Sequence, residues 1–198
     1  MGSKWNRWVT PISDKIDGKK VVRKEYNQWA GMFNRAKGQK YYEDVKLSEM
    51  FKSYDLWCEW AREQKGFLNT EYNGKIWSID KDILGDGRVY SEDVCVFVPA
   101  IINYLFIKSK NKSNVGRIGV RRVERISVPD KYEARLGTYC NHIGTFDTVD
   151  EAYRAYLSVR LEYSNDLYAK YGDSVDDRVW EALFESCEYS DIPDILNF

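Results

Sequence analysis

The sequence predicts an α+β fold: a helical N-terminal region with a small β-hairpin-plus-helix unit, then a three-stranded antiparallel sheet packed on one long helix. Two early segments place apolar residues at helical spacing, which predicts the helical region. Three strand-like runs and a helix start signal follow one another over residues 117–151, which predicts the sheet and its helix. The chain has 198 residues, enough for one large or two small domains.

Two helical segments open the predicted fold. Residues 26–36 form the first, which Gly38 ends. The apolar side chains on its predicted core face are Trp29, Met32, Phe33 and Ala36. Residues 47–64 form the second, in which Ser53 or Asp55 caps an internal helix start. Aromatic residues make up 15% of the chain, and we expect their rings to close a thin core.

The hairpin-plus-helix unit comes next along the chain. Ile76–Asp80 alternates as a strand, Gly85-Asp86-Gly87 marks a turn, and Val94–Val98 is a second apolar strand. A helix over Pro99–Phe106 completes the unit, because proline is tolerated in the first helical turn.

The C-terminal half contains the predicted sheet and the longest helix. Strand-like runs occupy residues 117–146, and Thr148 and Glu151 then form a capping box that starts a helix. Gly172 stops that helix, and a final short helix is expected over residues 177–187. The residues expected to dock this last helix on the sheet-and-helix unit are Val179, Trp180, Leu183 and Phe184.

Charge is unevenly distributed along a chain whose formal net charge is −1. Residues 1–46 hold eleven Lys or Arg against five Asp or Glu, and residues 108–125 hold seven against one. Residues 147–198 reverse the balance, with four basic and thirteen acidic residues. Basic segments and an acidic end fit a protein with one surface that faces phosphates and another whose acidic residues repel them. Ordinary surface charge is the alternative.

The four cysteines are far apart and form no CxxC or CxxH pair, so a structural zinc site is not expected. Cys58 and Cys95 lie in apolar runs and are expected to be buried thiols, which suits a reducing cytosol. No run approaches the roughly 20 apolar residues that a membrane span needs, so no membrane partner is expected.

Three segments of the C-terminal half carry a resemblance to a known family. They are Gly119–Val123 (GVRRV), Tyr132–Leu136 (YEARL) and His142–Ala152 (HIGTFDTVDEA). Together they resemble the plant ethylene-response (Apetala-type) DNA-binding domain, which implies a sheet that reads the major groove of double-stranded DNA. Arginine suits that role because its planar guanidinium group can donate two hydrogen bonds to guanine or to phosphate.

The residues expected to contact DNA are Lys108, Lys110, Lys112, Arg117, Arg121, Arg122, Arg125 and Arg135. The three lysines are expected to follow phosphates, a salt-sensitive contribution that does not depend on base sequence. The tryptophans typical of the plant relatives at base-contacting positions are absent, so their sequence preference is not expected here. His142, the only histidine, follows Asn141 in what the sequence predicts to be a tight turn.

The hairpin-plus-helix segment carries a second resemblance. Residues 77–84 (WSIDKDIL) and 95–103 (CVFVPAIIN) are similar to phage HNH-type proteins of the homing-endonuclease kind. The resemblance implies a ββα-metal unit in which Asp80 and Asn103 hold Mg²⁺ or Mn²⁺ and the metal stabilises charge on the scissile phosphate.

The general-base position of that family falls on Lys81 instead of a histidine. Lys81 is therefore expected to contact phosphate or to pair with a carboxylate, because lysine is normally protonated. Asp82 is a candidate second metal ligand, or a base acting through water. The alternative is that Asp80, Lys81 and Asp82 are a charged strand end that packs the turn.

The predicted domain limits follow from these segments. They are an N-terminal arm at 1–25, an HNH-like domain at 26–107, a basic linker at 108–116, an Apetala-type domain with its C-terminal helix at 117–187, and a tail at 188–198.

Three functional hypotheses stay open. The first is a phage-type, divalent-metal-dependent DNA endonuclease with an appended DNA-binding domain. The second is a catalytically inactive DNA-binding regulator or host-takeover factor that kept the nuclease scaffold. The third is an interaction protein whose acidic C-terminal region binds a host protein. Each is expected to act in the cytoplasm of an infected bacterial cell, and Lys81 is the feature that separates the first from the second.

Overall fold

The computed structural model describes residues 9–38, 44–106, 115–124, 129–137 and 139–188. Within these residues it shows the predicted mixed α+β fold, with six helices, several two-stranded sheets and one three-stranded antiparallel sheet. The chain divides into two compact units, one formed by residues 1–106 with 173–179 and the other by residues 107–172 with 180–198. None of the described helices combines the length and apolar character that crossing a bilayer requires.

The first unit begins with a hairpin of β1 (Ser13–Ile16) and β2 (Lys19–Val22). Asp17 and Gly18 between them both have positive φ, at 49° and 75°, as tight two-residue hairpin turns require. The preceding backbone is anchored by Asp55, whose carboxylate accepts the amide of Thr10 at 2.6 Å and that of the residue before it at 3.0 Å. The described part of the predicted arm is therefore an ordered hairpin tied to the helical layer.

The helical layer contains α1 (Lys24–Gly38), the short β3 (Lys46–Leu47), α2 (Glu49–Lys52) and α3 (Tyr54–Arg62). The predicted second helical region is thus two helices. The break falls at Ser53, whose hydroxyl accepts the amide three residues on at 3.5 Å and so caps α3.

The hairpin-plus-helix unit contains β4 (Ser78–Asp80), β5 (Val89–Tyr90), β6 (Val96–Val98) and α4 (Ala100–Phe106). The first and third of these strands pair antiparallel and α4 follows directly, as predicted. β5 instead pairs in parallel with β3, a contact between distant segments that the sequence did not predict.

Aromatic rings fill the core of the first unit. Trp29 and Tyr54 pack with ring centroids 5.4 Å apart, and the Trp29 indole donates to the Phe51 carbonyl at 2.9 Å. Cys58 and Cys95 are fully buried in this core, which confirms the prediction for these thiols. The buried residues that complete the cluster are Met32, Trp57, Ala61, Ile79, Tyr90 and Phe97.

The second unit contains β7 (Val120–Val123), β8 (Lys131–Leu136), β9 (Cys140–Phe146) and α5 (Val149–Tyr171), and its remaining helix is the C-terminal part of α6 (Asp177–Glu185). The strands form an antiparallel sheet in the order β7-β8-β9. The predicted capping box starts α5, because the Thr148 hydroxyl and the Glu151 carboxylate each accept the other residue's amide.

α5 packs on one face of this sheet. Buried Val120 and Ala134 lie opposite each other in register and face the helix. Gly119 has a φ of +74°, and a Cβ there would lie 2.2 Å from the Tyr156 ring on α5. Strand residues alternate between faces, so Glu133 and Arg135 lie on the sheet face away from α5.

Candidate functional site

Glu133 lies at the centre of the sheet face that α5 leaves open. Register places Arg121 on one side of it and Thr145 on the other. Its Oε2 accepts a hydrogen bond from Arg121 Nε, and its Oε1 accepts from Arg135 Nη2 at 3.0 Å and from His142 Nδ1 at 2.9 Å. One carboxylate therefore holds two guanidinium groups and an imidazole, and we call these four residues the Glu133 cluster.

The electrostatics of the cluster follow from its geometry. The Glu133 side chain is only 9% exposed because its three partners cover it. Burial by itself raises the pKa of the carboxyl, whereas the hydrogen bonds from Arg121, His142 and Arg135 lower it, and the resulting pKa is about 2. Glu133 is therefore ionised at neutral pH. Because an ionised carboxylate only accepts, His142 Nδ1 is the donor of its hydrogen bond to Glu133.

The Arg121 guanidinium is held by the protein at its Nε, whereas its two Nη groups are available to a ligand. Its Nε is held by Glu133, while neither Nη group hydrogen-bonds to any residue that the structure describes. The side chain remains 54% exposed, and those of Arg135 and His142 are about half exposed. The cluster thus presents oriented donors to solvent.

The other predicted DNA-contacting residues are distributed differently. Arg122 points to the opposite side of its strand from Arg121 and pairs with Asp130. Arg117 is buried, with its guanidinium 4.7 Å from the centre of the Tyr153 ring, so it supports the packing of α5. The remaining predicted contacts, Lys108, Lys110, Lys112 and Arg125, lie outside the described residues.

Sequence reasoning missed two members of the Glu133 cluster. It gave Glu133 no role, and it placed His142 in a turn, whereas His142 lies within β9. The period-two alternation of Glu133 and Arg135 was the available signal, since it puts both on one face. Arg121 and His142 join them only through the pairing of β8 with its two neighbours.

Asp80, at the end of β4, acts within the first unit as the cap of a turn. Its buried Oδ1 accepts the amides of Asp82 at 2.7 Å and Ile83 at 2.9 Å. Burial raises the pKa of this carboxyl, and the two amide hydrogen bonds offset only part of that rise.

Lys81 is buried beside it, with 4% of its side chain exposed. Its Nζ lies 2.7 Å from Asp82 Oδ1 and 5.3 Å from the centre of the Tyr90 ring. The Tyr90 hydroxyl in turn accepts from Arg35 Nε at 3.1 Å. Lys81 therefore takes the carboxylate pairing that was one of its two predicted roles.

These side chains do not fit the predicted Mg²⁺ or Mn²⁺ site. One oxygen of Asp80 is engaged by two amides, Asp82 is engaged by an ammonium group, and that buried ammonium opposes a divalent cation. Asn103, the other predicted ligand, is half-buried on α4. Over the described parts of the chain, no three His, Cys, Asp or Glu residues are grouped to hold a metal ion.

Comparison of the chain with known protein families, curated proteins and solved structures gives no match. The two family resemblances therefore stay predictions from the sequence.

Proposed function

We propose that the protein binds double-stranded DNA through the open sheet face around Glu133. The observation that carries this proposal is the half-anchored fork of Arg121, whose Nε is fixed while both Nη groups are left without a described protein partner. A guanidinium held in this way loses less conformational freedom on binding than a mobile one. Its outward edge has the geometry for guanine O6 and N7 or for two phosphate oxygens.

The rest of the open face supports the same partner. Arg135 supplies a second guanidinium from the same strand as Glu133, and His142 and Thr145 are exposed polar groups on the adjacent strand. Glu133 neutralises one of the two arginine charges, so the cluster keeps net positive charge without placing two unpaired cations side by side. The basic run from residue 108 to 125 is expected to add phosphate contacts.

The proposal is binding without hydrolysis. The Lys81 ammonium is paired with Asp82 and is not placed to take a proton from water, and the Asp80 oxygen that caps the turn already accepts two hydrogen bonds. Such a protein would act as a phage regulator or host-takeover factor. The metal-dependent endonuclease is the alternative that the experiments below distinguish.

Fluorescence anisotropy with a short labelled duplex tests the binding. Affinity should fall steeply as salt rises from about 50 to 200 mM. Arg121→Gln and Arg135→Gln should each weaken binding by about 1–3 kcal/mol, or reduce the salt dependence by about one phosphate contact. Arg154→Gln, which removes an exposed arginine from α5, is the matched control and should leave affinity unchanged. No salt-sensitive binding at low salt would overturn the proposal.

Incubation with supercoiled plasmid tests the alternative. In Mg²⁺, Mn²⁺ or EDTA the protein should bind the plasmid and leave it uncut. Metal-dependent nicking that disappears in Asp80→Asn would establish the endonuclease in place of a binding-only role.

A further inference from the structure

We propose that an apolar groove in the second unit docks a basic amphipathic helix of a partner protein. The groove is lined by Leu161 on α5, by Phe184 in the last turn of α6 and by Cys187 in the turn that follows α6. Leu161 is 43% exposed, so the groove presents an apolar side chain to solvent. The same groove is lined by three carboxylates, Glu181, Glu185 and Glu188, and its function is separate from DNA binding.

Among the described residues, the three carboxylates have no ion-pair or side-chain hydrogen-bond partner. Glu181 and Glu185 are four residues apart on α6, so they lie on one side of the helix, where like charges repel. Glu188 lies in the turn that follows α6 and lines the same groove. Glu185 is also the last residue of α6, where the helix dipole disfavours negative charge. The arrangement therefore costs stability in the isolated protein, as residues kept for binding often do.

Charge complementarity identifies the occupant. An apolar floor with an acidic rim matches a helix that carries leucine or phenylalanine on one side and lysine or arginine flanking it. The rim repels nucleic acid. Residues 189–198, which follow the groove residues in the chain, hold two aspartates and no lysine or arginine, so their charge does not match the rim. A partner with a basic amphipathic segment is the chemistry that satisfies both parts of the groove.

The test uses the full-length protein and a labelled synthetic helix-forming peptide with leucines on one face and lysines on the flanks. A scrambled peptide of the same composition and a version with glutamates in place of the lysines are the peptide controls. The wild-type protein should bind the first and neither of the others. The combined variant Glu181→Gln, Glu185→Gln, Glu188→Gln should bind at least about tenfold more weakly, equivalent to about 1.4 kcal/mol.

One control variant and one variant of the groove itself distinguish binding at the groove from a general effect of charge. Glu49→Gln, Glu59→Gln, Glu63→Gln removes three exposed carboxylates from the first unit and should leave peptide affinity unchanged. Leu161→Ser removes the exposed apolar contact and should weaken binding. The rim variant should melt at the same or a higher temperature than wild type, because the change relieves charge repulsion. Weaker binding with no fall in melting temperature therefore reports the groove itself.

Three results would overturn the proposal. They are equal binding of the scrambled peptide, equal weakening by the first-unit variant, and unchanged binding by the Leu161 or rim variants. Sedimentation of the free protein adds a fourth, since a dimer that the rim variant dissociates would mean that a second copy of the chain covers the groove.

Discussion

Replacing Glu133 by glutamine tests the Glu133 cluster directly. Glutamine keeps the size and one acceptor oxygen of the side chain but removes the charge that holds Arg121, Arg135 and His142. We expect the second unit to lose stability at neutral pH, and we expect the loss to disappear in acid.

The magnitude follows from the acidity of the carboxyl. A pKa lowered from 4.5 to about 2 corresponds to about 3 kcal/mol of folding free energy at neutral pH. Water screens the partners, which are each about half exposed, so we expect a loss of about 1–2 kcal/mol in Glu133→Gln. Because the folded pKa is the lower one, this stabilisation is fully present above pH 4.5 and is lost as the pH falls towards 2.

Urea unfolding of wild type and variant at pH 7 and at pH 3, followed by the amide NMR signals of β7 to β9, measures both effects. Glu124→Gln is the matched control, since Glu124 is exposed at the end of the neighbouring strand. The gap between wild type and Glu133→Gln should narrow at pH 3. Equal stabilities of the two glutamine variants at pH 7, or a gap that does not depend on pH, would refute the role of the carboxylate.

Three further predictions concern stability and reactivity. Asp80→Ala should lower the free energy of unfolding in urea by about 2–4 kcal/mol, because it removes the acceptor of two amide hydrogen bonds. Asp80→Asn keeps an acceptor and removes a buried charge, so it should lower the free energy of unfolding by less than about 1 kcal/mol. Equal losses in the two variants would contradict the turn-cap role. Gly119→Ala should destabilise the protein by about 3 kcal/mol or more, and Gly137→Ala by about 1 kcal/mol. Both glycines have positive φ, but only Gly119 is in close contact with a ring, that of Tyr156. Equal losses in thermal unfolding would disprove that contact. Cys140, which is partly exposed, should react with a thiol reagent at pH 8 in the folded protein. Burial raises the pKa of the Cys95 thiol to about 12, so Cys95 should react only in denaturant, and rapid labelling of Cys95 in the folded protein would contradict its burial.

Local sequence signals predicted much of the fold. The capping box of Thr148 and Glu151 involves residues three apart, so it is readable without knowledge of the tertiary structure, and the structure contains both of its hydrogen bonds. The apolar face of α1 around Trp29 and the helix cap at Ser53 were also predictable, because each depends on residues only three or four apart in the sequence. The α+β fold was predicted correctly for this reason.

The Glu133 cluster was beyond the reach of those signals. Alternation along β8 puts Glu133 and Arg135 on one face, but Arg121 and His142 reach the same carboxylate only because of the register of the two neighbouring strands. That register also shifts between Ala134 and Leu136, where β8 and β9 pair irregularly. A single sequence does not encode either feature in its periodicity.

The pairing of β3 with β5 is also a tertiary contact that sequence periodicity does not encode. Each strand is only two residues long, and the partners lie more than forty residues apart in the chain. The burial of Lys81 depends on this region too, since the Tyr90 ring under its ammonium group belongs to β5. The sequence identified the candidate residues Asp80, Lys81 and Asp82, and tertiary packing decided how they pair.

The most direct test of DNA binding by the open sheet face is an NMR titration of the full-length protein with a short duplex. We predict that the largest changes fall on Arg121, Glu133, Arg135 and Thr145, include the Nε–H signal of Arg121, and fade as salt is raised. Changes confined to α5 and α6, or no change at low salt, would contradict the assignment of this face.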